Sequence, residues 1–233
     1  MTTALIDADI VAHSNAAAAG EDFNAAMIYI DSMMTNILHA TETSSYKAFL
    51  TGGNNFRYEI NPKYKANRDD LIRPPYLQEC REYLVTEWKA KVTDGYEADD
   101  ALGFNQTEES IICTIDKDLN MIPGKHYTWP IMRGGIEIRE AKLYEVSELE
   151  GLQAFYRQML IGDTSDNIFG VKGIGKVKAA KIIDCLQTEL EMFEQTQVYY
   201  EGDINRFWMN ADCLWIMQKE GERYSNRYAN KQT

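Results

Sequence analysis

Carboxylates sit where apolar strands end, and that constrains this chain more than any other feature of its sequence. Asp7 follows the short apolar run Ala4-Leu5-Ile6, and Asp116 follows the β-branched run Ile111 to Ile115. In open α/β sheets, ligands collect outside the carboxyl ends of the strands, so both acids are placed for chemistry. Asp118 comes two residues after Asp116. Gly95-Tyr96-Glu97-Ala98-Asp99-Asp100 puts three more acids within about one helical turn, and Gly162-Asp163-Thr164-Ser165-Asp166-Asn167 adds another pair. Eight acids thus fall into four short motifs.

Carboxylates that converge raise one another's pKa unless a cation neutralises them, so their convergence predicts bound metal. An all-oxygen donor set favours magnesium or manganese over zinc. Each motif also has a plainer explanation. Glu97, Asp99 and Asp100 suit the first turn of a helix through its dipole, and Asp163 and Asp166 suit a helix cap. Asp116-Lys117-Asp118-Leu119-Asn120 is not a calcium loop, because the sixth position is Met121 rather than Gly and the twelfth is Tyr127 rather than Glu.

The intervening pattern reads as α/β layering. Ala4 to Ile6 and Tyr46 to Leu50 have strand character, Phe23 to Leu38 has helical spacing, and a helix introduced by Pro74-Pro75 runs over Pro75 to Lys91 until Gly95 ends that segment. Another helix opens at Glu97. From about Val146 the chain reads as helical, interrupted at Gly170 to Gly175. Ile204 to Gln218 forms a final apolar helix, and the tail from Gly221 is expected to be loose.

With 233 residues and 45% hydrophobic content, the chain can bury a sizeable core. No apolar run approaches the roughly 18 residues of a membrane span, and Met-Thr-Thr-Ala-Leu-Ile-Asp lacks signal-peptide character, so a cytoplasmic protein is expected. Cys80, Cys113, Cys185 and Cys213 are widely spaced and form no Cys-x-x-Cys pair, which suggests neither a zinc cluster nor a disulfide framework. His13, His39 and His126 have no ligand spacing. The net charge of −12, from 24 basic and 36 acidic residues, argues against a surface coated by polyanion. Two local basic patches remain: Lys63, Lys65, Arg68 and Arg73, and Lys172, Lys176, Lys178 and Lys181.

Taken together, Leu5-Ile6-Asp7, Phe56-Arg57, Pro62-Lys63-Tyr64-Lys65-Ala66-Asn67-Arg68, Gly95 to Asp100, Asp116-Lys117-Asp118 and Gly162 to Gly175 resemble the 5′-nuclease family. That family includes polymerase-associated 5′-3′ exonucleases of bacteria and phage flap endonucleases. The match spans roughly Ala4 to Ile183, and Gly162 to Gly175 is its most specific block. The resemblance implies a PIN-like core, a mostly parallel sheet flanked by helices, over residues 1–150 with an arch near 61–90. A helical DNA-binding region, 151–233, would follow, carrying a helix-turn-helix hairpin near 162–186.

By the same resemblance, Asp7, Glu97, Asp99, Asp100, Asp116, Asp118, Asp163 and Asp166 build a two-ion site for magnesium or manganese, and Lys65 and Arg68 contact the phosphate. Lys63, Tyr64 and Arg73 belong to the DNA channel, with Tyr64 either stacking on a base or packing in the core. Gly170, Lys172, Gly173, Gly175, Lys176 and Lys178 meet the duplex backbone, and a potassium ion is implied at the hairpin. Relatives place an Asp at the end of the second strand, where this chain has Leu50-Thr51-Gly52-Gly53. Thr51 or Asn54 could act through water there, or one ion could be weakened and the enzyme tilted toward manganese; Asp9 is a candidate stand-in that reads first as structural.

The implied activity is 5′-3′ exonuclease with flap cleavage as a companion, in a monomeric, free-standing phage-type or bacterial enzyme acting on 5′ ends, flaps or nicks. Ribonuclease H action on RNA–DNA hybrids, a catalytically silent junction binder and a PIN-like toxin ribonuclease are the competing expectations.

Overall fold

The computed structural model describes residues 2–68 and 71–231. Its elements run β1 (Thr3–Asp7), α1 (Ala8–Ala19), α2 (Phe23–Ala40), β2 (Ser45–Leu50), α3 (Arg57–Ile60), α4 (Leu77–Thr86), β3 (Lys91–Val92), α5 (Ala98–Asn105), β4 (Ser110–Cys113) and β5 (Gly124–Thr128). Then come β6 (Ile131–Arg133), β7 (Ile136–Arg139), β8 (Lys142–Val146), α6 (Glu148–Ile161), β9 (Gly162–Asp163), β10 (Ile168–Phe169), α7 (Lys176–Ile183), α8 (Glu189–Tyr199), α9 (Ile204–Leu214) and α10 (Tyr224–Lys231).

Six strands form one sheet in the order β3-β2-β1-β4-β5-β8, parallel except for β8 against β5. Successive strands step outward from β1 in one direction through β2 and β3, and in the other through β4 and β5. The order therefore reverses between β1 and β4, and a crevice opens at the carboxyl ends of those two strands.

Both faces of the sheet are covered, so its central strands are apolar throughout. Ala4, Ile6, Ala48, Leu50, Ile111 and Cys113 pack with Val11, Ile30, Met34, Cys80 and Leu84 of α1, α2 and α4. Leu5, Phe49 and Ile112 join the opposite core, with Leu102 of α5, Phe155 and Met159 of α6, and Phe207 and Trp215 from the C-terminal region. Residues on either side of position 150 thus share one core.

Several sequence expectations change. The helix expected over Pro75 to Lys91 begins at Leu77, after Tyr76 in a left-handed conformation, and ends at Thr86, before β3. Because Cys80 and Leu84 are buried, α4 is part of the body. Of the rest of the arch region, 61–68 and 71–76 are described, and Asp69 and Asp70 lie outside the described residues. The final apolar helix stops at Leu214, because Trp215 turns extended and Trp215, Ile216 and Met217 are buried as a strap. The tail expected to be loose is packed from Tyr224 to Tyr228: α10 buries both rings, and that of Tyr224 lies 4.7 Å from that of Phe155.

Asp100 has a structural role rather than the metal-binding one expected. Arg57 and Asp100 form a buried two-point ion pair at 2.6 and 2.9 Å. Arg57 also donates to the carbonyls of Cys213 and Trp215, both at 2.8 Å, while Asp100 accepts from the amides of Glu97 at 3.0 Å and Met217 at 3.1 Å. Every strong partner is satisfied, which is the condition under which a buried pair is tolerated. Asp100→Ala leaves the guanidinium buried and alone, so we expect it to lower unfolding stability by about 3–5 kcal/mol in denaturant titration. A variant as stable as wild type would remove this pair as the pin between α3, α5 and the C-terminal strap.

Candidate active site

The crevice at the switch point is a cleft of about 1220 Å³. Seven of the eight acids expected there line it: Asp7, Glu97, Asp99, Asp116, Asp118, Asp163 and Asp166. Asp100, one residue from Asp99 on the first turn of α5, points into the body instead.

Local chemistry fixes most of these side chains. Asp7 ends β1 and caps α1, accepting from the Ile10 amide at 3.1 Å, while its other oxygen accepts from the Thr114 hydroxyl at 2.8 Å. Thr114 also receives the Asp116 amide at 3.0 Å, and Asp116 receives the Asp118 amide at 2.9 Å. These turns chain Asp7, Asp116 and Asp118 together across β1 and β4. Asp163 accepts from the Ser165 amide at 2.8 Å and hydroxyl at 2.6 Å. Gln158 of α6 donates to Asp118 at 3.1 Å and lies 3.5 Å from Asp163.

On the other side stand Glu97 and Asp166 with the basic segment. Lys65 pairs with Glu97 and lies 3.8 Å from Asp166, and Arg68 pairs with Asp166. The segment is stitched to the acidic loop by main-chain contacts: the Lys65 amide donates to the Asp166 carbonyl at 3.0 Å, Asn67 to the Thr164 carbonyl at 2.7 Å, and Asn167 to the Lys63 carbonyl at 2.8 Å. Tyr64 is not free to stack on a base. It is 2% exposed, and its hydroxyl lies 3.0 Å from Glu97 and 2.7 Å from Asp166. Lys63 is exposed, and Arg73 is exposed and lines the cleft.

The electrostatics record the crowding. Burial, then Asp9 and Asp116, push Asp7 up to about 7. Burial, then Asp7, Asp116 and Glu97, hold Asp99 well above the usual carboxylate range, and burial with Asp116 raises Asp118 against the pull of Lys117. Burial also raises Asp166, against Lys65, Tyr64 and Arg68. Glu97 goes the other way: burial is outweighed by Arg57 and Lys65, and its carboxyl falls below its ordinary value. In Asp163 burial is likewise outweighed, by the hydrogen bonds from Ser165.

These donors suit hard divalent cations: all are oxygen, they face one cleft, and the Lys65 ammonium already acts as a stand-in cation between two of them. Among the described residues, no three His, Cys, Asp or Glu side chains are yet gathered tightly enough to hold an ion. Closing the cluster therefore requires the side chains to shift.

Just past the end of β2, one position is closed to any side chain. A Cβ on Gly52 would come within 2.0 Å of the Thr93 carbonyl oxygen, so no side chain fits. Asp9 occupies this corner instead, accepting the Thr51 amide at 2.8 Å and pairing with Arg81 of α4, and both residues line the cleft. Thr51 is committed too, its hydroxyl accepting from the Ala98 amide at 3.0 Å. Asn54 donates to Asp94 at 2.8 Å and does not line the cleft. Thr114, Gln158 and Arg81 were not anticipated. Only Thr114 had a signal, its position two residues before Asp116 in a hydroxyl-capped turn.

In the expected hairpin, α7 follows α6 through the β9–β10 turn. A Cβ on Gly170 would meet the Ile161 carbonyl carbon at 2.3 Å, so this glycine is required by packing. Gly173, at φ +79°, and Gly175, which precedes α7, have open space around them, and Lys172, Lys176, Lys178 and Lys181 are exposed. The carbonyls of Gly170 and Val171 already accept from Arg206 at 3.3 Å and Ile174 at 3.1 Å.

Known proteins share this architecture. The T5 D15 protein of bacteriophage T5, co-crystallised with metal ions, superposes with a TM-score of 0.66 over 92% of this chain and 90% of its own, at 16% identity. The catalytic core of Rad2 in complex with DNA substrate reaches a TM-score of 0.53 over 95% of this chain and 79% of its own, at 14% identity. DNA polymerase I of Bacillus caldotenax is 32% identical over 176 residues, covering 67% of this chain and 20% of the polymerase. A 5′-3′ exonuclease of Mycoplasma pneumoniae is 28% identical over 181 residues, 69% of this chain and 60% of that protein. The chain therefore spans about a fifth of the polymerase and three fifths of the exonuclease. Residues 5–148 match the model of the 5′-3′ exonuclease N-terminal resolvase-like domain, and since that stretch holds the sheet, the switch point and five of the seven cleft acids, the chain belongs to this family.

Proposed function

We propose that this protein is a divalent-ion-dependent 5′-nuclease that hydrolyses DNA phosphodiester bonds, leaving 5′-phosphate and 3′-hydroxyl ends. One observation carries the reading: seven carboxylates from four separate stretches of chain line one cleft at the switch point of a parallel sheet. The relatives' names agree with it, being 5′-3′ exonucleases, polymerases and a metal-bound flap endonuclease.

Asp7, Glu97, Asp99, Asp116, Asp118, Asp163 and Asp166 would hold the ions, magnesium or manganese. Bound there, a pair of divalent ions supplies activated water and neutralises charge on the scissile phosphate and the leaving 3′ oxygen. The protein's own cations do the rest. Lys65 and Arg68, freed from Glu97 and Asp166, face the phosphate and stabilise its developing negative charge. Exposed Lys63 and Arg73 extend this path. Gly173 and Gly175 leave the start of α7 bare, so backbone amides there and the side chains of Lys172, Lys176 and Lys178 grip duplex phosphates without reading sequence. On this reading residues 1–150 carry most of the chemistry, and 151–233 add Asp163 and Asp166 to the site along with the duplex contacts.

The test is digestion of 5′-labelled flap, nicked and blunt duplex DNA, with a matched RNA–DNA hybrid, in magnesium, manganese or chelator. Cleavage only with divalent ion, from the 5′ side, is expected. Asp116→Ala and Asp118→Ala should each slow single-turnover cleavage by about 10³-fold or more while DNA affinity is kept, and Lys65→Ala by about 10²-fold. Full activity in either Asp variant would remove that residue from the site.

The raised Asp7 carboxyl also sets a pH dependence. A carboxyl whose folded pKa exceeds its unfolded value stabilises the fold below the unfolded value and loses that contribution as pH climbs through the folded one. For Asp7 the window runs from 3.8 to about 7. In chelator, the melting temperature should therefore fall across that window by more in wild type than in Asp7→Asn, and magnesium should remove the difference. Parallel melting profiles for the two proteins in chelator would contradict the crowding at Asp7.

A further inference from the structure

Four cations line the cleft: Lys65, Arg68, Arg73 and Arg81. The first two are bound to the Glu97–Asp166 side. Arg81 comes from α4, on the side where β2 ends, and is held from two directions, by Asp9 and by the Thr51 carbonyl. Asp9 spends its second oxygen on the Thr51 amide at 2.8 Å, so both its oxygens are engaged and it acts as a bracket for the guanidinium. A guanidinium has five N–H donors in a fixed fork. The two contacts leave donors unspent, and the side chain stays 23% exposed in the cleft.

The charge on this wall shows what those donors are for. Glu79 and Glu82 line the cleft from α4 beside Arg81, and Asp7 lies across the corner. A DNA strand passing along these acids would meet repulsion at its phosphates that Arg81, beside them on α4, is placed to offset. We propose that Arg81 contacts a backbone phosphate of the DNA strand entering the cleft, on the β2 side, and that Asp9 is its positioning residue. This rests on the nuclease reading above. Arg fits the role because its fork can keep Asp9 and still offer a paired hydrogen bond to a phosphate.

The measurement is equilibrium binding of a 5′-tailed duplex across a salt series, with calcium in place of magnesium. The double variant Asp9→Ala/Arg81→Ala removes both partners, so no unpaired charge is left to unfold the protein. It should bind about tenfold more weakly near 0.1 M salt, with the slope of log affinity against log salt shallower by about one. Asp9→Asn should lose part of that affinity on its own and nothing further in an Arg81→Ala background, the signature of action through Arg81. Wild-type slope and affinity in the double variant would overturn the inference and leave the nuclease reading standing. Failure of the wild-type protein to bind tailed DNA at all would overturn both.

Discussion

Mutual repulsion among carboxylates is the constraint around which this molecule is built. Ten of them line one cleft, and burial together with neighbouring charge already drives Asp7 and Asp99 upward. A chain tolerates such a cluster only if the frame behind it cannot relax. The frame here is a sheet packed on both faces, with the buried Arg57–Asp100 pair locking the start of α5 to the C-terminal strap. Asp100 illustrates the division of labour: one residue from an acid of the cleft, it is spent entirely on rigidity.

Much of this was legible in the sequence. Asp7 at the end of β1, the acidic motifs and the parallel core follow from short apolar runs that stop at Asp, although β4 ends at Cys113, three residues before Asp116. What escaped did so for identifiable reasons. The helix α1 is alanine-rich, with Ala8, Ala12 and Ala16 fully buried, and small side chains give little contrast between its faces. Strands β5 to β8 are short and mixed in polarity, and only pairing orders them, β5 with β4 and β8, and β6 with β7. Neighbouring helix positions differ by about 100°, so Asp99 and Asp100 look alike in one dimension and diverge in three. Tyr64 could be read as a stacking ring or a packing ring, and the two carboxylates that meet its hydroxyl decide in favour of packing.

The segment around Lys65 and Arg68 also changes meaning once it is seen folded. As a sequence it is a basic patch in a chain of net charge −12. As a structure it is the counter-charge of the acidic loop, fastened to residues 164–167 by main-chain and side-chain hydrogen bonds, so under the proposed function loading the acids with metal and freeing the cations for phosphate would be one linked event. Linkage of this kind makes two binding equilibria report on each other.

The contact between Gly52 and the Thr93 carbonyl also closes a route for redesign. A side chain placed at position 52 would drive its Cβ into the main chain that follows β3, so an acid engineered there would displace backbone before it reached the cleft. The corner is open to alteration through Asp9 and Arg81 themselves, whose side chains already line it.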